Sequence, residues 1–274
     1  MFFMKSKLIL KELQQESLKI LKEVHAFCVE NDIKYSVAYG TLIGVMRHKG
    51  FIPWDDDIDI IMHRQDYEKF CKTFKSSRYQ LTYRPVDKTC LLAFARVFDQ
   101  QNTYSEPDTP WCLHETGVFI DIFPVDYVSD DEAVFKQQHE KMKKCWRKSI
   151  IARAGLGTFS RSKPFLFNIK LCVKKMLCWD AQQSVDKHMD YVNQCVEMQP
   201  TKHWSQLGCL DGYEYQDTAD FVGVSLFPFE DMMVMVMNGY HNVLTKYYGD
   251  YMQLPPETER VGHCHAEFYW KDKS

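Results

Sequence analysis

The stretch that decides the fold is Phe51–Met62, which reads FIPWDDDIDIIM and places four carboxylates within five residues, directly against an apolar run. Like charges repel one another, and burial beside apolar residues removes the water that would solvate them. Such a cluster persists most easily when a cation neutralises it. We therefore expect it to bind a hard divalent metal ion, and we predict that the rest of the chain brings a phosphate substrate to that ion.

The acids alternate with apolar residues in a pattern that predicts a β-strand beginning near Asp56. With a period of two residues, Asp57 and Asp59 share one face, while Ile58 and Ile60 share the other and enter the core. Carboxylates two residues apart on a strand lie roughly 7 Å apart along the chain, which leaves room for an ion between them. Their oxygens favour Mg²⁺ or Mn²⁺ over zinc. The alternative is an acidic turn that precedes a strand and binds no metal.

Upstream of the acids, a predicted strand over residues 35–39 runs into Gly40 and Thr41. A glycine and a hydroxyl residue at such a position can bring backbone N–H groups against a phosphate, although most Gly-Thr pairs are simple turns. Residues 42–46 are expected to form a short helix, whose N-terminus would favour an anion. Gly40 and Thr41 are therefore candidate substrate-binding residues.

Four basic residues are further candidates for contact with a substrate phosphate. Arg47, His48 and Lys49 form a basic turn, for which the alternative is a solvated loop. Arg96 lies in a predicted strand over residues 90–98, and an arginine among apolar neighbours needs an anionic partner. That partner is either an aspartate of the protein or the phosphate of a substrate.

A second apolar run, residues 116–126, predicts a central strand because it is apolar on both faces. Asp121 lies in the middle of this run. A buried, unpaired aspartate is costly or stays protonated, so we expect Asp121 to point at the same ion as Asp57 and Asp59. The alternative is that Asp121 pairs with Arg96 or with another basic residue.

The remainder of the chain offers weaker signals. Helical periodicity predicts helices over residues 7–30, 63–75 and 180–199. Residues 141–175 carry many lysines and arginines but no Asp or Glu, which indicates either a solvated basic face or a surface for an anionic acceptor or bilayer. The run His263-Cys264-His265 has zinc-binding residue types, but no partner pair with ligand spacing is visible, so packing or hydrogen bonding is preferred.

Composition places the chain among ordinary globular proteins. It has 274 residues, of which 45% are hydrophobic and 26% charged, and its formal net charge of -3 does not favour bulk nucleic-acid binding. Ten cysteines are scattered without a C-x-x-C pair, which is typical of reduced thiols in a cytosolic protein. With no signal-peptide pattern and no apolar run long enough to span a bilayer, we expect a cytoplasmic protein, either soluble or peripheral to a membrane.

Several stretches resemble the LicD family of phosphocholine transferases. Residues 39–44 (YGTLIG) and 47–59 (RHKGFIPWDDDID) are similar to the family signature, as are residues 118–124 (VFIDIFP) and 248–256 (YGDYMQLPP). The resemblance spans most of the chain. It implies an α+β, nucleotidyltransferase-like fold, in which a mixed β-sheet flanked by helices carries an Asp-x-Asp and a third acid on a neighbouring strand.

On this resemblance, the catalytic and metal-binding positions are Asp57, Asp59 and Asp121, with Asp121 also a candidate general base. Residues 1–130 would form the nucleotidyltransferase-like catalytic core, and residues 131–274 a basic helical section and C-terminal elements that pack on it. One departure is that nucleotidyltransferases usually place the acids closer behind the glycine motif.

The resemblance also implies metal-dependent transfer of phosphocholine from CDP-choline to a sugar hydroxyl of a bacterial surface glycan, such as lipopolysaccharide, teichoic acid or capsule, with release of CMP. The ion would be Mg²⁺ or Mn²⁺. The alternatives are transfer of another CDP-linked phospho-alcohol (ethanolamine, glycerol or ribitol), nucleotidyl transfer that releases pyrophosphate, and a non-enzymatic module that binds phosphocholine or a glycan.

Overall fold

A computed structural model describes residues 6–107, 112, 114–153, 180–208, 213–262 and 266–271. The helices are α1 (Leu10–Glu30), α2 (Tyr39–Ile43), α3 (Arg64–Thr73), α4 (Glu132–Arg153), α5 (Ala181–Cys195) and α6 (Tyr240–Tyr248). A π-helical turn, Gly44–His48, continues α2, and 3₁₀ turns cover Thr218–Phe221 and Glu257–Glu259. The strands are β1 (Ser36–Val37), β2 (Asp59–His63), β3 (Tyr79–Thr82), β4 (Ala95–Asp99), β5 (Thr103–Pro107), β6 (Phe119–Val128), β7 (His203–Ser205), β8 (Gln216–Asp217), β9 (Val224–Phe229), β10 (Met232–Met237) and β11 (Ala266–Trp270).

The main sheet is mixed. Its strands follow the order β1-β2-β6-β4-β3, with β7 paired to β6 and β8 paired to β7. β2 and β6 run parallel, whereas the other pairs in this sheet are antiparallel. β9 pairs with β10, and β5 with β11, as separate two-stranded sheets. The predicted α+β class, a mixed sheet flanked by helices, is confirmed.

The central strand of this sheet is β6. Its residues from Phe119 to Asp126 are all buried, and Ile120 and Ile122 are fully inaccessible to solvent. The first half of β6 pairs with β2 and β4, and its last three residues pair with β7. A strand covered on both faces has a continuous apolar sequence, which is why the run over residues 116–126 predicts it.

Helix α1 buries one stripe of apolar side chains in the main core, as its 3.6-residue periodicity requires: Leu13, Ile20, Leu21, Val24 and Cys28. The helix predicted over residues 7–30 is confirmed, but it begins at Leu10. The reason is that the Leu8 N–H donates to the Phe268 carbonyl at 2.9 Å, which ties the preceding segment to β11. The Glu12 carboxylate then accepts the Ile9 N–H at 2.9 Å and satisfies one of the donors at the helix start.

The helical section of the C-terminal half packs on the far end of β6. α4 and α5 contact each other around a small second core formed by Val128, Phe135, Met142, Val192, Cys195 and Leu207. Most of the basic section, from residue 154 to residue 175, lies outside the described residues, and so does the run His263-Cys264-His265. The division into 1–130 and 131–274 stays a prediction. Across the described ranges, no helix combines the length and apolarity that crossing a bilayer requires.

The strand predicted over residues 90–98 starts later, at Ala95. The preceding segment folds as turns around the buried Arg84, whose Nη1 donates to the Cys90 carbonyl at 3.0 Å and whose Nε donates to Asp186 at 2.9 Å. A buried arginine needs hydrogen-bond acceptors for several N–H groups. A backbone carbonyl that accepts such a bond is no longer available to pair with a neighbouring strand. Strands β5, β7, β8, β10 and β11 were not predicted.

A buried ion pair joins α3 to the central strand, and it yields a stability prediction. Arg64 donates from Nε and Nη2 to the Asp126 carboxylate at 2.7 and 2.6 Å, and the Asp126 side chain is fully buried. Asp126→Ala would leave the largely buried guanidinium unpaired, so we expect it to lower the free energy of unfolding by about 3–5 kcal/mol.

Chemical denaturation monitored by circular dichroism measures this loss. The matched control is Glu68→Gln, which removes the surface pair between Glu68 and Lys72 on the same helix and should leave the free energy of unfolding almost unchanged. Equal effects of the two substitutions would contradict the prediction.

Candidate active site

An open cavity of about 670 Å³ lies beside the acid-rich segment. One wall is formed by α2, its π-helical continuation and the segment up to Asp59, and the other by residues 248–259 near the C-terminus. The lining residues are Tyr39, Gly40, Ile43, Arg47, Ile52, Trp54, Asp55, Asp57, Asp59, Tyr248, Asp250, Tyr251, Gln253, Leu254, Pro255, Pro256 and Glu259. Segments almost two hundred residues apart in sequence therefore build one site.

Strand register brings two of the predicted aspartates together. Asp59, the first residue of β2, lies opposite Asp121 of the parallel strand β6, and Asp121 lies opposite Arg96 of β4. Residues directly opposite each other on paired strands direct their side chains to the same face. Asp57 also acts on Asp59, because its charge raises the pKa of that carboxyl. The three predicted acids thus belong to one electrostatic cluster.

Asp121 pairs with Arg96, which is one of the two alternatives that the sequence left open, and its contact with an ion shared with Asp57 and Asp59 stays a prediction. The guanidinium donates from Nε and Nη2 to the two carboxylate oxygens at 2.5 and 2.6 Å, and both side chains are buried. The guanidinium carbon lies 3.4 Å from the centre of the Phe119 ring. Burial raises the pKa of Asp121, and the charge and hydrogen bonds of Arg96 oppose that rise.

The acids of this cluster destabilise one another when all are ionised. Burial raises the pKa of Asp59 well above its usual range, and the charges of Asp57, Asp121 and Asp55 raise it further. Burial, followed by the charge of Asp56, raises the pKa of Asp55 to about 6. One oxygen from each of Asp55, Asp56 and Asp57 lies within 4.8 Å of the others. Among the described residues, the acid oxygens that converge this closely are those of Asp55, Asp56 and Asp57, and the predicted set of Asp57, Asp59 and Asp121 shares only Asp57 with them. This all-oxygen donor set beside a cavity fits a hard divalent cation, which would offset the repulsion.

The predicted start of the second strand was wrong, because β2 begins at Asp59 rather than near Asp56. Before it, the Asp55 N–H donates to the Ile52 carbonyl at 2.9 Å in a turn, and the Gln14 side chain donates to the Asp55 carbonyl at 2.8 Å. Asp57 therefore lies outside the strand, and its position relative to Asp59 is set by this turn rather than by a β-pleat.

Gly40 and Thr41 lie in the first turn of α2 and hold the acidic segment against the helix. A Cβ atom on Gly40 would lie 2.8 Å from Oδ2 of Asp55, so only glycine admits this approach. The Thr41 hydroxyl accepts the Asp59 N–H at 2.9 Å. Gly40 lines the cavity, whereas Thr41 is buried and is not among the lining residues. Their contact with a phosphate stays a prediction.

Of the basic turn, Arg47 reaches the cavity. Its Nη1 donates to the carbonyls of Tyr251 and Gln253 at 2.9 and 3.1 Å, which ties the C-terminal wall to the π-helical turn. Its Nε donates to Nε2 of His48, and burial, together with the charge of Arg47, lowers the pKa of His48. Lys49 is exposed at the end of the turn, with φ +58°. The roles of His48, Lys49 and Arg96 in substrate binding stay predictions.

The aromatic lining was not identified from sequence. Tyr39, Trp54, Tyr248 and Tyr251 all border the cavity. Two of them belong to the run YGDYMQLPP, which is similar to the family signature but to which the sequence alone assigned no role. Gly249 ends α6 with φ +64°, and this left-handed residue turns the chain so that residues 250–256 lie along the cavity.

Comparisons with known proteins identify the family of the chain. A family profile described as LicD/FKTN/FKRP, nucleotidyltransferase domain, matches residues 32–161. The chain is 32% identical to the lipopolysaccharide cholinephosphotransferase LicD of Haemophilus influenzae over 96% of this chain and 98% of that protein. It is also 36% identical to an uncharacterized protein of Rickettsia typhi over 26% of this chain and 24% of that protein. An uncharacterized protein of Rickettsia prowazekii is 37% identical over 31% of this chain and 35% of that protein.

The close contact between Gly40 and Asp55 gives a prediction about the acidic wall. In Gly40→Ala, the added methyl group would force the Asp55 carboxylate or the helix to move, so we expect the free energy of unfolding to fall by about 1–3 kcal/mol. The control is Gly223→Ala, where the nearest atom is the amide nitrogen of the exposed Asn238 side chain, which can rotate away. Denaturant titration of both variants tests this, and equal stability of Gly40→Ala and the wild type would refute the packing argument.

Proposed function

Because the chain belongs to the LicD family, we propose that it is a transferase that attaches phosphocholine to a sugar hydroxyl of a bacterial surface glycan such as lipopolysaccharide. Its similarity to a protein named lipopolysaccharide cholinephosphotransferase extends over nearly the full length of both chains. The observation that carries the proposal is one cavity with clustered carboxylates on one wall and Tyr248 and Tyr251 on the other.

The donor in this proposal is CDP-choline, and the leaving group is CMP. A cavity of about 670 Å³ has the size of a small-molecule site. Its two walls suit the two ends of the transferred group, because an ion held by the acids would bind phosphate oxygens and aromatic faces would attract a quaternary ammonium.

A divalent ion, Mg²⁺ or Mn²⁺, would be held by Asp57 and Asp59, which line the cavity, with Asp121 beside Asp59. The hydrogen bonds from Arg96 occupy one acceptor position on each Asp121 oxygen, and each oxygen has a second lone pair. When bound, such an ion neutralises charge on phosphate oxygens and stabilises the departing nucleotide.

The remaining polar groups have separate tasks in this proposal. Arg47 supplies positive charge at the cavity wall for the donor phosphates, using the guanidinium nitrogen Nη2 that its contacts with Tyr251, Gln253 and His48 do not use. Asp55 is the carboxylate best suited to take the proton of the acceptor hydroxyl. It lines the cavity beside the carboxylates assigned to the ion; burial raises its pKa, and a bound ion would oppose that rise.

Tyr248 is the aromatic residue best placed to attract choline. Its side chain is 45% exposed at the cavity, whereas the Arg260 guanidinium already lies 5.5 Å from the centre of the Trp54 ring. Tyr251 is more deeply buried and its hydroxyl lies 2.9 Å from Nδ1 of His241. A ring face open to the cavity offers its negative quadrupole to a cation.

The proposed function is tested by incubating the full-length protein with Mg²⁺, an acceptor glycan and CDP-choline, CDP-ethanolamine, CDP-glycerol or CDP-ribitol in turn. We expect CMP release to be fastest with CDP-choline. Faster CMP release with another donor would identify a different transferred group. In a parallel incubation with a nucleoside triphosphate, release of pyrophosphate would favour nucleotidyl transfer. Ligand binding without turnover or metal dependence would identify a binding module instead.

The acidic cluster yields a sharper prediction. Asp57→Asn and Asp59→Asn should each lower kcat/KM for CMP release by roughly 100-fold or more, because loss of a direct ion ligand costs more than loss of an outer-shell partner. The control is Asp190→Asn, which removes an exposed carboxylate of α5 that is absent from the cavity lining. Folded Asp57→Asn or Asp59→Asn protein with wild-type activity would exclude the metal role.

Tyr248 gives a test of donor selectivity. Replacing it with Leu removes a cation–π contact of about 0.5–2 kcal/mol, so KM for CDP-choline should rise by about 2–30-fold. KM for CDP-glycerol, which carries no cationic head group, should change less. Tyr248→Phe keeps the ring and serves as the matched control, with selectivity close to that of the wild type. Equal losses for both donors in Tyr248→Leu would argue against choline recognition by this ring.

A further inference from the structure

A second group of metal-binding residue types lies outside the cavity lining. It consists of Asp87, in the turns that follow β3, with Cys112 and His114, which precede β6. One ligand atom from each of the three residues lies within 4.8 Å of the others. We propose that Asp87, Cys112 and His114 form a zinc site, distinct from the Mg²⁺ or Mn²⁺ site of the acidic cluster.

The orientation of His114 carries much of this proposal. Its Nδ1 lies 2.9 Å from the Glu115 carbonyl, which can only accept a hydrogen bond, so Nδ1 bears the hydrogen. The other ring nitrogen, Nε2, faces Oδ2 of Asp87 at 3.5 Å. In neutral imidazole that nitrogen has a lone pair, which would repel the carboxylate. A metal ion between the two atoms would replace this repulsion with attraction to both.

The Asp87 carboxylate is held in place and kept ionised. Thr82 donates its hydroxyl to Oδ2 at 2.6 Å, while the Thr89 hydroxyl and N–H donate to Oδ1 at 2.5 and 2.8 Å. Burial alone would raise the pKa of Asp87, but these hydrogen bonds lower it to about 2. Ligand carboxylates in metal sites are oriented by hydrogen bonds of this kind.

Cys112 decides between a proton on His114 and a metal ion. A simple ion pair of Asp87 with a charged His114 needs no thiol, whereas a thiolate, an imidazole and a carboxylate are each ligands that zinc binds. The Cys112 sulfur also lies 3.3 Å from the Thr89 hydroxyl, the group that holds Asp87. Zinc binding would displace the thiol proton to solvent, because the thiolate is the ligand.

The separation between His114 and Asp87 matches that of two ligands in a tetrahedral zinc site. Zinc–ligand bonds of about 2.0–2.3 Å place neighbouring ligand atoms about 3.3–3.8 Å apart, and the separation of 3.5 Å between His114 and Asp87 falls within that range. Cys90 lies directly opposite Cys112 in an isolated antiparallel bridge. Its sulfur is not among the clustered ligand atoms, so a water molecule would occupy the fourth position.

The site would join two segments that flank the catalytic strands. Asp87 and Cys90 lie between β3 and β4, and β4 contains Arg96. Cys112 and His114 lie shortly before β6, which contains Asp121. A zinc ion there would connect the segment before β4 with the segment before β6, the two strands that carry Arg96 and Asp121. We therefore expect the ion to stabilise the fold rather than to take part in phosphate chemistry.

The experiment measures zinc in the full-length protein after treatment with a chelator, reloading with ZnCl₂ in excess Mg²⁺, and dialysis. We expect one zinc ion per chain by inductively coupled plasma mass spectrometry. His114→Ala should weaken zinc affinity by more than about 10–100-fold. That range is typical for the loss of an outer-shell partner, whereas His114 would be a direct ligand. The His114 side chain is 36% exposed, so this substitution is compatible with folding.

Cobalt gives a second readout that reports the sulfur ligand. Co²⁺ in the wild type should show thiolate-to-metal charge-transfer absorption, which Cys112→Ser abolishes. The matched control is Cys145→Ser, which alters a cysteine of α4 outside the cluster. Asp57→Asn should retain full zinc content, which separates this site from the cavity and makes the result independent of transferase activity.

Three results would overturn the proposal. One is a wild type with reduced thiols that takes up no zinc in excess Mg²⁺. Another is zinc uptake that His114→Ala and Cys112→Ser leave unchanged. The third is a Cys90–Cys112 disulfide, detected by mass spectrometry of tryptic peptides from protein purified with reductant, because it would leave no thiolate to bind the ion.

Discussion

The alignment of β2, β6 and β4 is the constraint on which the candidate active-site cavity depends. In this register Asp59 of β2, Asp121 of β6 and Arg96 of β4 lie side by side across three strands. β2 and β6 run parallel, and β6 and β4 run antiparallel. A shift by one residue would turn Asp121 to the opposite face of the sheet, away from both partners. Burial of β6 on both faces prevents such a shift, because it would also exchange the packing of every apolar side chain in the strand.

Arg96 offsets part of the repulsion that this alignment creates between the acids. Two carboxylates opposite each other inside a protein repel, and each also loses its hydration. The guanidinium of Arg96 satisfies both oxygens of Asp121, while Asp59, at the cavity, bears most of the remaining repulsion from its acidic neighbours. The cluster is therefore asymmetric. One acid is neutralised within the protein, and the others face a space where an ion and a phosphate can neutralise them.

The second wall comes from the far end of the chain, and few contacts hold it in place. Gly249 reverses the backbone after α6, and Arg47 donates to the carbonyls of Tyr251 and Gln253. Arg47 thus connects the π-helical turn next to the acids with the aromatic wall. Hydrogen bonds to these carbonyls fix the backbone of the wall without constraining which side chains it carries. Those side chains would set the selectivity for the transferred group.

Sequence alone determined the features that arise locally along the chain. Apolar periodicity identified α1 and the central strand, and the signature around Asp57 and Asp59 placed the chain in its family, since both signals depend only on neighbouring residues. Only the tertiary structure decided that Asp57 precedes β2, that Asp121 contacts Arg96 and Asp59 together, and that a distant aromatic segment completes the cavity. The physical reason is that strand register and long-range packing bring together residues whose separation in sequence carries no record of their proximity.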